Sequence, residues 1–181
     1  MTLDKKIIVL VGIMGAGKTK TGAILARLLG MPFIDSDQEI ERIANHNVSE
    51  IFAKYGEAEF RRMEKKVMLR LLDDAPCVLA SGGGAFIQDQ IRKTIKQKAI
   101  SVWLHADIDV LVERLSRNKR RPLLQGVDIR RKLEQLLAAR APLYAQADIS
   151  IVTDDQTPQN SARLIKAELA LWAAREKGND V

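Results

Sequence analysis

A glycine-rich octapeptide near the start of the chain constrains the fold more than any other feature of the sequence. It matches the pattern Gly-x4-Gly-Lys-Ser/Thr in full, from Gly12 to Thr19. The apolar run Ile7–Val11 precedes the octapeptide and the amphipathic stretch Lys18–Leu29 follows it, so the pattern lies between a predicted strand and a predicted helix. This context predicts a P-loop, in which glycines let several backbone N–H groups converge on a phosphate at a helix N-terminus.

The octapeptide also supplies the candidate ligands of a nucleotide and its metal ion. Lys18 is long enough to reach the β- and γ-phosphates, and the Thr19 hydroxyl can bind Mg²⁺. A glycine-rich turn with an incidental lysine is the alternative, and the strand-to-helix context argues against it. We therefore predict binding of ATP and Mg²⁺. The predicted nucleotide-binding residues here are Gly12, Gly15, Ala16, Gly17, Lys18 and Thr19.

Short apolar runs alternate with amphipathic stretches along the whole chain. The predicted strands are Ile7–Val11, Phe33–Ile34, Cys77–Ala80, Ile100–Leu104 and Ile149–Val152. The predicted helices are Lys18–Leu29, Gln38–Ala44, Ser49–Lys54 with Ser49 as N-cap, Glu57–Leu72, Asp89–Lys96, Asp109–Ser116 and a last helix opened by Thr157-Pro158. Continuous apolar strands are typical of a parallel sheet covered on both faces.

The fold class that we expect is therefore α/β, a three-layer P-loop fold with a five-stranded parallel sheet flanked by helices. With 181 residues and no linker or repeat, the chain is expected to form a single domain over residues 1–181. Two segments read as insertions at the ligand-binding edge of the sheet: a substrate-binding segment at about 35–62 and a lid at about 117–126.

Composition narrows the possible partners. The formal net charge is +6, and the densest basic cluster contains no aromatic residue; its members are Arg114, Arg117, Lys119, Arg120 and Arg121. Bases stack on aromatic side chains, so this cluster does not favour nucleic acid and fits either a solvated surface or a loop closing over phosphates. No apolar run is long enough to span a membrane. The single cysteine, Cys77, excludes an intramolecular disulfide and reads as a buried strand residue. We expect a cytoplasmic, soluble monomer.

Three further patterns offer candidate functional residues. Asp35-Ser36-Asp37 follows the second predicted strand, so its carboxylates can bind a metal and a substrate hydroxyl, or one of them can cap the next helix. Gly82-Gly83-Gly84 follows the third strand and suggests a ligand that approaches the backbone closely, although a flexible connector would look the same. Arg61 taken alone is an ordinary surface arginine.

Taken together, these segments resemble the shikimate kinase family, from Val9 to about Asp155. Six segments occur in the family's order. They are Gly12–Thr19, Asp35-Ser36-Asp37, Glu59-Phe60-Arg61-Arg62, Gly82-Gly83-Gly84, Arg121-Pro122-Leu123-Leu124 and Arg140-Ala141-Pro142-Leu143-Tyr144. A P-loop alone is shared by many NTPases, so the order of all six is what makes the resemblance specific.

The resemblance implies transfer of the γ-phosphate of ATP to the 3-hydroxyl of shikimate, giving shikimate 3-phosphate and ADP in chorismate and aromatic amino acid biosynthesis. It implies that Lys18 and Thr19 serve ATP and Mg²⁺, and that Asp35 lies on the metal side. The implied substrate and lid residues are Asp37 for the ring hydroxyls and as a candidate base, Arg61 and Arg140 for the carboxylate, the backbone of Gly82, Gly83 and Gly84, Arg121 for the transferred phosphate and Arg114 for stacking on adenine.

Two alternatives stay open at this point. Another P-loop kinase of small metabolites, such as a gluconate or nucleoside monophosphate kinase, is disfavoured because a carboxylate-binding arginine pair has no obvious role with a nucleobase. A catalytically silent nucleotide-binding or nucleic-acid-binding module is disfavoured by the intact Lys18, Thr19 and Asp35.

Overall fold

The structure contains one five-stranded parallel sheet. The computed structural model describes residues 6–117 and 128–179. The strands are β1 (Ile7–Val11), β2 (Phe33–Asp35), β3 (Val78–Ala80), β4 (Ala99–His105) and β5 (Ile149–Val152). Their order across the sheet is β2-β3-β1-β4-β5, and every neighbouring pair is parallel. The predicted fold class is confirmed.

Helices connect the strands and cover the sheet. They are α1 (Lys18–Leu29), α2 (Ser36–Ala44), α3 (Val48–Leu71), α4 (Asp89–Lys98), α5 (Ile108–Ser116), α6 (Ile129–Tyr144) and α7 (Pro158–Asn179), with a 3₁₀ turn at Ala85–Ile87. Helices α1 and α7 pack against each other, as do α2 and α3, and α5 and α6. The bounds of most elements differ from the predicted ones by one or two residues, because helix ends and strand ends depend on capping bonds that periodicity does not show.

The centre of the sheet is fully buried, whereas its edge is not. All five residues of β1 are buried. Strand β5, predicted as buried on both faces, instead alternates, with Ser150 and Val152 exposed. The strand pairs only with β4 at the edge of the sheet, and α7 packs against it. One covered face produces the alternating pattern, so the prediction for this strand was wrong.

The predicted helix starts were right at one position and wrong at another. Thr157 caps the last helix, since its hydroxyl accepts the N–H of Asn160 at 3.2 Å. Ser49, however, is not the cap of α3. Asn47 fills that position, and it exchanges side-chain bonds with Glu50 in a capping box, with Asn47 Oδ1 accepting from the Glu50 N–H at 2.9 Å. The reciprocal bond gives Asn47 an advantage that Ser49 lacks.

Helix α3 carries a break where two separate helices were predicted. Gly56 has φ 79° and ψ 171°, non-helical values within the range Val48–Leu71. Only glycine adopts this region of backbone space readily. The segment 48–55 therefore meets the rest of α3 at an angle fixed by a single glycine.

Cys77 lies buried directly before β3, as predicted for a core residue. Burial, followed by the charge of Asp74, raises the pKa of the Cys77 thiol to about 11. Within the described chain, no helix combines the length and apolar character needed to cross a membrane.

Candidate active site

The sheet topology brings three of the predicted segments to one edge. β1 leads into the P-loop, β2 into Asp35-Ser36-Asp37 and β3 into Gly82-Gly83-Gly84. Because β3 lies between β2 and β1 and all three run in parallel, their carboxyl ends lie side by side. Ligands of open α/β sheets bind in this position.

The P-loop has the backbone of an anion-binding nest. Gly12, Gly15 and Gly17 have φ values of 136°, 85° and 91°. A side chain at Gly12 would also overlap the carbonyl oxygen of Leu104 on β4. Gly17 occupies the N-cap of α1 without any side-chain cap, so the first N–H groups of the helix are left for a bound phosphate.

Two P-loop side chains lie against the loop and the neighbouring strand end. The Lys18 ammonium donates to the carbonyl oxygens of Gly12 and Ile13, at 2.8 and 2.9 Å. The Thr19 hydroxyl donates to Asp35 Oδ2 at 2.7 Å. The hydroxyl and the carboxylate predicted to serve one metal ion are therefore adjacent.

Asp35 caps α2, which is one of the two interpretations of the Asp-Ser-Asp segment, and its second oxygen accepts from the P-loop. Its Oδ1 accepts the N–H groups of Asp37 and Gln38, at 3.0 and 3.4 Å, and so caps α2. Its Oδ2 faces Thr19. The carboxylate thus joins the start of α2 to the P-loop.

Asp37 and a buried glutamate flank the first glycine of the Gly82–Gly84 turn. A Cβ atom built on Gly82 would lie 2.6 Å from Asp37 Oδ1 and 2.7 Å from Glu64 Oε1. The Gly82 N–H donates to the Ser36 hydroxyl at 2.9 Å, and its carbonyl accepts the Ala85 N–H at 3.1 Å. These bonds show that the turn is an ordered part of the site rather than a loose connector.

Arg61 is held at the opposite end of the same turn. Its Nη1 donates to Glu64 Oε2 at 2.7 Å and its Nη2 to Glu57 Oε1 at 3.1 Å, and only 27% of the side chain is exposed. A side chain at Gly84 would overlap the Arg61 guanidinium. Burial lowers the pKa of Arg61, but the carboxylates of Glu64 and Glu57 raise it by more, so the net shift is upward. Arg61 is a fixed cation and not an ordinary surface arginine.

Glu64 is a site residue that the sequence reasoning missed. It is fully buried, and Gln88 Nε2 also donates to its Oε2 at 2.8 Å. Position 64 falls on the apolar stripe of α3, four residues after Phe60 and three before Val67. A glutamate on an apolar stripe needs a buried partner, and that signal could have pointed to Arg61.

Arg140 reaches the middle of the turn from α6. Its Nη1 donates to the Gly83 carbonyl at 3.2 Å. A Cβ atom on Gly83 would lie 3.6 Å from the Met14 nitrogen and 3.7 Å from the Gly12 carbonyl oxygen, so this glycine lies against the P-loop. The two arginines predicted to share a carboxylate therefore contact the same three-residue turn. This turn also lies against the P-loop.

Of the remaining predicted residues, Arg114 contacts a different part of the chain and Arg121 is not among the described residues. Arg114 is held by the segment after β5, donating to the Thr153 hydroxyl at 3.2 Å and the Asp154 carbonyl at 3.3 Å. Arg121 and nearly all of the predicted lid at 117–126 fall outside the described residues. Arg117, which is described, pairs with Glu113 at 2.5 Å.

A parallel sheet with a P-loop at its central strand, and a cluster of arginines and carboxylates beside that loop, fit the class of P-loop kinases that act on small acceptors. A family model described as shikimate kinase matches residues 14–170, which is most of the chain. The chain belongs to the shikimate kinase family.

Similar proteins agree with this assignment. A shikimate kinase of Cereibacter sphaeroides is 49% identical over 166 residues, covering 92% of this chain and 83% of that protein. A shikimate kinase of Brucella canis is 47% identical over 175 residues, covering 97% and 88%. The solved structure of shikimate kinase from Acinetobacter baumannii in complex with shikimate superposes with a TM-score of 0.87 at 41% identity, covering 92% of this chain and 93% of that one.

Proposed function

We propose that the protein transfers the γ-phosphate of ATP to the 3-hydroxyl of shikimate, in the pathway to chorismate and the aromatic amino acids. The observation that carries the proposal is the Gly82–Gly84 turn, which Arg61 and Arg140 approach from two different helices and which also lies against the P-loop. Two guanidinium groups at one turn suit a carboxylate, and because the turn contacts the P-loop, a molecule bound there would lie beside the phosphate donor.

In this proposal the P-loop supplies most of the interactions with the nucleotide. The backbone N–H groups from Gly15 to Thr19 would bind the phosphates, and Lys18, which now donates to two loop carbonyls, would supply a positive charge to the β- and γ-oxygens. Arg114, anchored beyond β5, would contact the adenine. Phosphoryl transfer depends mainly on alignment and charge neutralisation, both of which these groups provide.

Thr19 and Asp35 would hold a magnesium ion. Both supply oxygen ligands, which Mg²⁺ prefers, and the two groups are already within hydrogen-bond distance. No group of three or more His, Cys, Asp or Glu side chains suited to a metal occurs in the described chain. This fits an ion that takes its remaining ligands from water and phosphate. When bound, the ion neutralises charge on the phosphate oxygens.

Asp37 would orient the acceptor. Its carboxylate lies beside Gly82, at the end of the turn away from Arg61, so it can accept hydrogen bonds from ring hydroxyls while the arginines hold the carboxylate. A loose transition state requires little help from a base. We therefore assign Asp37 the role of positioning the attacking hydroxyl.

Measuring ADP release with a panel of acceptors tests the proposal. Turnover is expected with shikimate and at background level with gluconate, with AMP and without any acceptor. Lys18→Ala should abolish turnover with shikimate while the protein stays folded, because glycines and backbone groups shape the loop. Equal rates with gluconate or AMP would overturn the assignment of the acceptor, and an active Lys18→Ala variant would remove the P-loop from the mechanism.

The lid and the solution state also belong to the proposal. Arg121 is expected to contact the transferred phosphate, so Arg121→Ala should lower kcat far more than it raises the KM for ATP. Arg120→Ala is the matched control and should have little effect.

A single domain, a monomer and a cytoplasmic location stay predictions, and light scattering of the purified protein would test the monomer.

A further inference from the structure

A tyrosine hydroxyl and an arginine guanidinium converge on one backbone oxygen of the glycine turn. Tyr144 Oη and Arg140 Nη1 both donate to the Gly83 carbonyl oxygen, the arginine at 3.2 Å. The two residues are four positions apart on α6 and therefore lie on the same face, one turn from each other. We infer that Tyr144 is a positioning residue of the acceptor pocket, whose hydroxyl fixes the oxygen that orients Arg140. This inference rests on the proposed function for the role of Arg140.

The surroundings of Tyr144 separate the role of its hydroxyl from that of its ring. The residue is fully buried, and its ring stacks against Phe86 and Trp103 with centroid separations of 6.5 and 6.1 Å. Phenylalanine would fill the same space. A buried hydroxyl, by contrast, needs a partner, and the structure gives it the Gly83 oxygen as acceptor with the Arg140 guanidinium beside it. Burial raises the pKa of Tyr144, so the hydroxyl stays protonated and able to donate at neutral pH.

The position of Gly83 explains why fixing this oxygen matters for holding the acceptor groups at the right distance from the P-loop. The turn meets Arg61 at Gly84, Asp37 at Gly82 and the backbone of Gly12 and Met14 at Gly83. A shift of Gly83 therefore changes the distance between the acceptor groups and the P-loop. Without the Tyr144 hydroxyl, Arg140 is the side-chain donor that stays on the Gly83 oxygen. We expect its guanidinium to move toward that oxygen and away from the carboxylate of the acceptor.

Steady-state kinetics of Tyr144→Phe give the first test. The KM for shikimate should rise about five- to tenfold, the loss expected for one hydrogen bond, while the KM for ATP changes less than about twofold. The only other tyrosine in the sequence is Tyr55, a residue that is 46% exposed and whose ring contacts Lys54 and His46, so Tyr55→Phe is the control and should be unchanged. An unchanged shikimate KM in Tyr144→Phe, with or without a lower melting temperature, would show that Tyr144 only packs in the core and would overturn the inference.

Double variants show whether Tyr144 acts through Arg140. In an Arg140→Ala background, the loss of the hydroxyl should raise the shikimate KM by less than about twofold, because the group that it orients is already missing. In an Arg61→Ala background, the full five- to tenfold effect should persist. If Tyr144→Phe raised the shikimate KM by the same full factor in both backgrounds, Tyr144 would not act through Arg140, and the positioning role would be contradicted.

Fluorine NMR tests the shared oxygen without any substrate, so it stands even if shikimate is not the acceptor. With 3-fluorotyrosine in a Tyr55→Phe background, the single signal belongs to Tyr144. Arg140→Ala and Arg61→Ala each remove one cation near the ring, but only Arg140 shares the Gly83 oxygen. We expect the larger shift of the signal in Arg140→Ala. Shifts of equal size would overturn the inference, and this experiment also applies if Tyr144→Phe does not fold.

Discussion

At the scale of single residues, Gly84 is kept small by a side chain and not by the backbone. Its φ and ψ are −102° and −11°, values open to any residue, whereas an added Cβ would overlap the Arg61 guanidinium. Glu64 and Glu57 hold that guanidinium from the other side. The position of the Arg61 guanidinium, which we propose binds the acceptor carboxylate, therefore depends on the absence of a side chain at Gly84.

We expect Gly84→Ala to displace Arg61 and weaken shikimate binding by about 1.5–3 kcal/mol, the value of a charge-assisted hydrogen bond. ATP affinity should change little. Isothermal titration with each ligand measures both effects. Gly84→Ala in an Arg61→Ala background is the control, and there it should weaken shikimate binding little further. An equally large loss of binding in that background would show that the alanine does not act by displacing Arg61.

At the scale of secondary-structure elements, one carboxylate joins α2 to α3. Glu39 on α2 pairs with Arg42 on its own helix at 2.9 Å and with Arg70 on α3. The hydrogen bonds from Arg42 and then Arg70 lower the pKa of Glu39 from 4.5 to about 2. Because the pKa is lower in the folded protein, the pairing stabilises the fold above pH 4.5 and is lost as the pH falls toward 2.

Glu39→Gln should therefore destabilise the protein at pH 7 by about 1 kcal/mol, a small value because Arg42 and Arg70 are half exposed or more and solvent screens the pairs. The difference from the unsubstituted protein should shrink between pH 4.5 and 2. Urea unfolding across this range measures it. Glu59→Gln removes a pair with Arg62 within one helix and serves as the control, and a pH-independent difference for Glu39→Gln would contradict the pairing.

The break in α3 gives a second prediction at this scale. Gly56 lies in a region of backbone space that costs other residues of order 1–3 kcal/mol, and no neighbouring atom would obstruct a methyl group there. Gly56→Ala should lower the free energy of unfolding by about that amount. Chemical denaturation tests this, and an unchanged midpoint would mean that the helix can straighten at no cost.

The sequence predicted best those features that depend on near neighbours along the chain. The P-loop, the burial of β1 and the break near Gly56 each follow from a few consecutive residues. Tyr144 escaped because its partner is distant in sequence, whereas Glu64 pairs with Arg61 only three residues away and was missed although its place on the apolar stripe was a local signal. The Tyr144 bond to Gly83, for example, spans 61 residues. Such contacts form only once the sheet has placed β3 beside α3 and α6, and no local pattern specifies them.

At the scale of the whole molecule, the single cysteine can report on the opening of the core. Cys77 is 1% exposed and its thiol pKa is raised to about 11, so both access and the thiolate fraction are low in the folded state. The rate at which a thiol reagent labels Cys77 at pH 8 should therefore be set by how often the core opens, and not by reaction of the folded protein. ATP with shikimate should slow it, because ligands that bind the folded state stabilise it. Rapid labelling without denaturant, unaffected by ligands, would contradict a buried Cys77.

The two oxygens of Asp35 have a consequence for how this chain can change over evolutionary time. One oxygen begins a helix and the other faces the hydroxyl of Thr19. A mutation to asparagine could keep the first task while discarding the charge, and a mutation to alanine would discard both. With the metal-binding role that we propose for Asp35, selection for a correctly folded protein and selection for turnover act on the same codon, so drift at this position is opposed twice.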